Sequence, residues 1–302
     1  MKGLDTVDVT LLRSFRAVVA HRSMTRAAKE LGYAPSAVSQ HVGRLEKLVG
    51  VQLLSRSPRE PVSPTAAGRE VAEMAGNLLA AVSDFAVGCR TVGEGDVELR
   101  IAVFQTAAAR LLPRAISALQ RIDPSARVRM MQAEPASGLP LLTSGAVDLL
   151  IANRYMADEL PAIPRVQETL LGIERMPLVR PSGFSSQQAV WVAGEPGGSA
   201  RRLLERWAAA NGVTLDVRYE VEDAHTVLSL CAEGLAQGIV PISVLQARSD
   251  LDVEREDLLL EGEPVHRSIL ALTRRRYTHP LTEQLCAELR AELSEVELRD
   301  NS

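Results

Sequence analysis

Apolar residues near the start of the chain recur three and four apart, the spacing of a helix with one buried face. Val9, Leu12, Phe15, Val18 and Val19 mark a first helix of about three turns. A second is expected over Met24–Leu31, with Ala27, Ala28 and Leu31 inward, Ser23 as N-cap and Gly32 ending it. A third runs over Pro35–Val49: Pro35 opens it where a missing N–H costs nothing, Val38, Val42, Leu45 and Leu48 share a face, and Gly50 stops it. Val51–Leu54 and Val62–Ser63 then read as two short strands around the polar, proline-containing stretch Ser55–Pro61. The pattern is helix, tight turn, helix, followed by a two-stranded wing.

From Thr65, read as a cap, the period changes. Val71, Ala75, Leu78, Val82, Phe85 and Cys89 are spaced 4, 3, 4, 3, 4, a heptad seam. A helix over Ala66–Val92 would be about 40 Å long at ~1.5 Å per residue. Its seam either packs on its own domain or pairs with a second chain; the regularity favours pairing. Gly93 and Gly95 form a hinge after it.

Beyond the hinge, strand-like and helix-like stretches alternate. The first set is Val97–Phe104, Ala107–Arg121, Ala126–Ala133, Ser137–Ser144 and Val147–Ala152. The second is Ala189–Ala193, Ala200–Ala210, Asp216–Val221, Ala224–Glu233 and Gly238–Val240. His266–Arg274 is a further strand and Thr282–Leu298 a closing helix. Such alternation predicts parallel sheets with helices on both faces, here in two similar lobes. The fold class is therefore α/β overall. A winged helix-turn-helix (residues 1–64) is followed by a linker helix and hinge (65–95). A two-lobed α/β domain (96–302) follows, with lobe I about 96–172 and 266–302 and lobe II about 173–265.

Charge sharpens this division. The chain is net −4, but residues 1–65 carry ten Lys/Arg against five Asp/Glu (+5) and the remainder 24 against 33 (−9). A basic head on an acidic body suits a protein that meets phosphate at one end. No apolar run approaches the length of a membrane span, so no membrane partner is expected. Residues 1–10 carry Asp5 and Asp8 and no apolar segment, so no secretory signal is expected either. Cys89, Cys231 and Cys286 are far apart, which fits neither a disulfide framework nor a paired metal site. No cofactor or metal is expected, and the cytoplasm is the expected compartment.

A helix fits the major groove and reads base edges with its first turns. On the third helix Ser36, Ser39 and Gln40 hold those positions, with His41 nearby. Gln40 can pair with an adenine edge, and Ser36 and Ser39 can donate or accept. Arg26, Arg44, Arg56 and Arg59 are candidate phosphate contacts. The plainer alternative is a set of ordinary solvated helix residues.

The segment Phe15–Val71 resembles the DNA-binding domain of LysR-type transcriptional regulators. The resemblance rests on Ser23-Met24-Thr25-Arg26-Ala27-Ala28-Lys29-Glu30-Leu31, on Pro35–Val42, on Leu45-Glu46-Lys47-Leu48-Val49-Gly50 through Arg56, and on Thr65-Ala66-Ala67-Gly68. It implies Ser36, Ser39 and Gln40 as base readers, with Thr25 and Arg26 at the DNA backbone. Leu54 stands where the family usually has Phe. Ala34 replaces a common capping Ser, and Pro35 a Gln that often contacts DNA, which removes one base reader. The two-lobed remainder matches the family's effector domain, itself similar to periplasmic binding proteins.

In open α/β sheets ligands sit at strand carboxyl ends, where helix N-termini favour anions. Gln105-Thr106 follows the first strand, and Gly197-Gly198-Ser199 holds the same place in the second lobe. Asp223, His225 and Thr226 open a later helix, and Glu134 and Asn153 would line the rim. The resemblance places a small-molecule effector in the cleft between the lobes, at Thr106, Ala107, Glu134, Asn153, Gly198, Ser199, Asp223, His225 and Thr226. Thr106 and Ser199 could instead be plain caps, His225 a surface residue and Gly197-Gly198 only a turn.

The expected protein is a ligand-responsive transcription regulator that binds double-stranded DNA as a homodimer or homotetramer, with RNA polymerase as a further candidate partner. Two lobes alone would also suit a solute-binding protein, but the helical N-terminal region and the lack of a signal argue against it. No catalytic residue is expected: G-x-S-x-G, G-x-G-x-x-G and H-E-x-x-H are absent. Asp223 and His225 are two apart and diverge on a helix.

Overall fold

A computed structural model describes residues 8–55, 61–93, 98–156, 158, 163, 165–183, 190–275 and 278–300. The chain forms two compact units, one made chiefly of residues 1–93 and the other of 94–142 and 146–302.

The first unit contains α1 (Val9–His21), α2 (Met24–Leu31), α3 (Pro35–Val49), β1 (Leu54–Ser55), β2 (Ser63–Pro64) and α4 (Ala66–Gly93). Ser23 Oγ accepts the Arg26 N–H at 3.3 Å, and Gly32 leaves α2 with φ of 69°. Gly50 ends α3 at φ of 82°, its N–H donating to the Glu46 carbonyl. Positive φ is what an L side chain resists, so both stops rest on glycine. The predicted bounds of α2 and α3 match the structure residue for residue. Phe15, Val18, Ala27, Val38, Val42 and Leu45 close a single core, joined by Leu53, Leu54 and Ala75. Leu54 fills the place of the family's usual Phe and is fully buried.

The wing is tied to this core by backbone chemistry. Glu46 Oε1 accepts the Leu53 N–H (2.9 Å) and the Leu54 N–H (3.2 Å). Thr65 Oγ1 donates to the Gln52 carbonyl and accepts the Gly68 N–H, both at 2.9 Å, so it caps α4 as expected. A side chain at Gly68 would overlap the Leu53 carbonyl, which explains glycine at the end of the Thr65–Gly68 motif. β1 and β2 pair antiparallel, Leu54 opposite Pro64. The expected wing tip, including Arg56 and Arg59, lies outside the described residues.

The helix α4 divides the expected seam between two faces. Ala75 is buried in its own core, with Val71 and Leu79 packed against it. Leu78 and Phe85 instead face solvent, 47% and 73% exposed, with Met74 at 59%. The exposed strip therefore runs Met74, Leu78, Phe85, with half-buried Val82 between the last two, rather than through Val71 and Ala75.

The second unit begins with β3 (Leu99–Val103), α5 (Gln105–Arg110), α6 (Leu112–Ile122), β4 (Val128–Gln132), α7 (Pro135–Thr143), β5 (Leu149–Tyr155) and β6 (Val166–Arg175). It continues with β7 (Leu178–Pro181), β8 (Val190–Ala193), α8 (Ser199–Ala210), β9 (Asp216–Glu220), α9 (Ala224–Ala232), β10 (Gly238–Ile239) and α10 (Ile242–Gln246). It ends with β11 (Val253–Glu256), β12 (Leu259–Leu260), β13 (Glu263–Pro264), β14 (His266–Arg274) and α11 (Leu281–Asp300).

Lobe I is a five-stranded sheet, β4-β3-β5-β14-β6. β3 is parallel to β4 and β5, but β14 runs antiparallel to both β5 and β6. The sheet is thus mixed, a correction to the all-parallel expectation. A strand returning from the other lobe enters from the opposite end. One face carries α5, α6 and α11 over Ile101, Leu112, Leu119, Leu285 and Leu289. The other carries Leu142, Leu150, Leu270 and Leu272.

In lobe II β8 and β9 are parallel, while β7 pairs antiparallel with β10 and β11. A parallel bridge between Trp191 and Gln237 joins the two sets. The chain crosses between lobes twice, at Met176-Pro177 and at Val265. The Met176 N–H donates to the Val265 carbonyl at 2.8 Å, binding the crossings side by side.

Candidate functional site

Two places gather the predicted residues. On the first unit, Ser36, Gln40 and Arg44 lie four apart along α3, so they share one face, and all three are exposed. Ser39 is half-buried beside them, and Thr25 and Arg26 are exposed in the first turn of α2. His41 is already engaged. Its Nδ1 and the buried Ser14 Oγ are 2.8 Å apart, and Tyr33 packs edge-on against its ring. It holds α3 on α1 rather than joining the reading face. Ala34 makes no side-chain cap, and Pro35 opens the helix.

On the second unit a cavity of about 760 Å³ lies at the carboxyl ends of the strands, with walls from both lobes. Thr106, Glu134, Asn153, Gly198 and Ser199 line it. Ala107 does not, because it is turned into the lobe I core. Asp223, His225 and Thr226 also stay out of the wall, a correction with a local cause. Asp223 is the N-cap of α9, accepting from the His225 N–H, the Thr226 N–H and the Thr226 hydroxyl. Burial alone would raise the Asp223 carboxyl; its bonds to Thr226 and His225 outweigh this and hold it below the usual range. Its neighbours Glu222, Ala224 and Val227 reach the cavity in its place.

The inner wall is held by residues that sequence reasoning did not single out. Arg267 is buried, with its Nη2 2.7 Å from Glu174 Oε2 and donating to Thr106 Oγ1 at 2.6 Å. Its guanidinium sits 5.0 Å from the centre of the Phe104 ring. Glu174 Oε1 also accepts the Ser243 N–H at 3.1 Å, linking the crossing strands to lobe II. The signal for Arg267 was a cation next to the apolar run Ile269–Leu272 of the same strand. Burial is the main force pushing the Tyr155 phenol up, opposed by Arg267 beside it and aided by Glu134 and Glu222.

Two further bonds span the cleft. Gln105 Nε2 donates to Asp223 Oδ1 at 2.9 Å. Arg202 Nη2 donates to Asp158 Oδ1 and to Ser199 Oγ, each at 2.9 Å, so the Ser199 hydroxyl is already engaged. Burial pushes the Cys231 thiol up to about 12 and the Cys286 thiol up to about 11, keeping both protonated at neutral pH. Among the described residues no cluster of three His, Cys, Asp or Glu could hold a metal ion. No described helix is long and apolar enough to cross a membrane.

Residues 9–69 match the family model of bacterial regulatory helix-turn-helix proteins of the lysR family, and residues 93–294 match the LysR substrate binding domain. The second match alone covers more than half of the chain. The chain belongs to the LysR family. The RuBisCO operon transcriptional regulator of Allochromatium vinosum is 28% identical over 286 residues, 89% of this chain and 90% of that one. Among solved structures, full-length OxyR from Pseudomonas aeruginosa aligns with a TM-score of 0.62 at 19% identity, over 94% of this chain and 95% of that one. CbnR, solved at full length with its target DNA, aligns with a TM-score of 0.57 at 23% identity, over 95% and 100%.

As a LysR-family transcription regulator, the protein binds DNA through its winged helix-turn-helix and senses a small molecule with its two-lobed domain. Of its departures from the family pattern, Leu54 is accommodated in the core, and Ala34 and Pro35 stand at the start of the reading helix. Pro35 keeps the start of α3 while withdrawing a polar group from it.

Proposed function

We propose that Ser36, Ser39 and Gln40 read base edges, with Thr25, Arg26, Arg44, Arg56 and Arg59 on the phosphates. The observation that carries this reading is the row Ser36, Gln40 and Arg44, exposed along one face of α3. Residues 1–64 act as the reading head, 65–95 as linker and 96–302 as sensor. The strip of exposed Met74, Leu78 and Phe85, with half-buried Val82, pairs with a second copy and sets two heads at a fixed separation on a pseudo-palindromic site. The chain works as a homodimer or homotetramer in the cytoplasm, with RNA polymerase as a partner and no catalytic activity. The effector binds in the cleft cavity, at Thr106, Glu134, Asn153, Gly198 and Ser199. It acts by favouring one arrangement of the lobes over another.

Fluorescence anisotropy with a fragment of the gene's own promoter tests this. Arg44→Ala should weaken binding to all sequences alike and reduce the salt slope by about 1. An unchanged slope would remove Arg44 from the phosphate contacts. Leu78→Glu should shift the oligomer toward monomer in sedimentation, and a fully assembled variant would reject the paired strip.

A further inference from the structure

The cleft offers its free charge to a cation. Three arginines line the cavity, and each is paired within the chain: Arg154 with Glu168, Arg202 with Asp158 and Arg267 with Glu174. Three lining carboxylates, Glu134, Glu195 and Glu222, form no ion pair with any described residue. They come from both lobes, Glu134 after β4 in lobe I and the other two after β8 and β9 in lobe II.

Glu222 also occupies the turn where an anion was expected. Its Oε1 accepts the Glu195 N–H at 2.9 Å. Its carboxylate lies against Gly194 and Gly198, where a Cβ on either residue would overlap it. The glycines before α8 therefore make room for the chain's own carboxylate. An anionic ligand entering there would meet a like charge, and a cationic one an opposite charge. The deeper wall is largely apolar, with Leu139, Leu150, Val192 and Leu204 among its residues. The polar groups at its inner end are occupied by one another: Arg267 with Glu174 and Thr106.

We propose that the effector is a small organic cation, an amine or amidine on an apolar body, whose charge is held between Glu134 of lobe I and Glu195 and Glu222 of lobe II. The cation relieves repulsion between carboxylates of opposite lobes and so favours a closed cleft. This rests on the reading of the cavity as the effector site.

Matched probes separate the two ideas. 2-Phenylethylamine and 3-phenylpropionate share a ring and a short chain and differ in charge. Binding of each to the full-length protein is measured by calorimetry at fixed ionic strength, with thermal unfolding alongside. The amine should bind at least about tenfold more tightly than the acid. The preference should vanish in the double variant Glu134→Gln, Glu222→Gln, which keeps the acceptor for the Glu195 N–H. Tighter binding of the carboxylate would overturn the cation proposal and leave the cavity as an effector site. An amine preference that survives in the double variant would overturn it too. Binding of neither probe at millimolar concentration would overturn the cation proposal and count equally against the effector reading.

Discussion

On α3, Ser36, Gln40 and Arg44 reach solvent without a hydrogen bond to any described residue, whereas several of the cleft's polar groups are held by their own chain. Thr106 is taken by Arg267, Asp223 by Gln105 and Thr226, and Ser199 by Arg202. Residue type alone would rank Thr106 and Ser36 alike. What separates them is the location of the partner. A polar group that is free on a rigid helix is available to an outside molecule, and a satisfied one is part of the scaffold. By that criterion the head offers Ser36, Gln40 and Arg44; the cleft offers charge instead, because Glu134, Glu195 and Glu222 form no ion pair with any described residue even though Glu134 and Glu222 accept backbone N–H groups.

The sharpest way to break this contrast is at the scaffold's most buried pair. Arg267→Met alone should destabilise the protein by about 3–5 kcal/mol in urea, because it strands Glu174. Adding Glu174→Leu should restore only part of the loss, because it removes the stranded carboxylate but leaves the buried Ser243 N–H without its acceptor. A small cost for the single variant would show that the inner wall is not held by this pair.

Next comes Asp148, buried below β3. Burial would raise its carboxyl, but Arg100, paired with it at 2.9 Å, and Arg274 hold it below the usual range. A carboxyl depressed in the folded state adds stability above its unfolded pKa and loses it as pH falls through the folded value. Denaturant midpoints should therefore fall steeply below about pH 4. Asp148→Asn should flatten that fall while lowering stability at pH 7. A wild-type profile no steeper than the variant's would remove Asp148 from the acid response.

A smaller effect is expected at the latch across the cleft. Gln105→Ala removes one bond to a capping carboxylate that keeps its other donors, a cost of about 1 kcal/mol. Small-angle scattering should report a more open second unit for this variant. An unchanged profile would mean that Gln105 does not restrain the lobes.

The local parts of this fold were legible in the residues. Met24–Leu31 and Pro35–Val49 were readable because Ser23, Gly32, Pro35 and Gly50 punctuate them within a few positions. His266–Arg274 showed itself as an apolar run with charged ends. β6 escaped because Gln167, Glu168 and Glu174 interrupt its apolar pattern, and its pairing with β14 spans about a hundred residues. The single helix expected over Ala107–Arg121 is two, broken at Leu111 before Pro113, where α6 starts anew. In the cleft, strand ends pointed to the right region, but the occupancy of each group depended on distant partners. Glu222 lay one residue from a predicted ligand and was missed. The turn it fills is shaped by Gly194 and Gly198, across the parallel pair β8–β9.

The α3 helix reads sequence with a polar face that forms no hydrogen bond to any other described residue at Ser36, Gln40 and Arg44. Selection of binding sites from a random DNA pool, run side by side on wild type and Gln40→Ala, tests it most directly. Gln40→Ala should leave folding stability within about 0.5 kcal/mol of wild type. Its selected sites should lose base preference at one position in each half-site, with affinity for the wild-type site reduced by about 1–3 kcal/mol. An identical motif enriched by both proteins, bound equally well, would mean that Gln40 does not read a base.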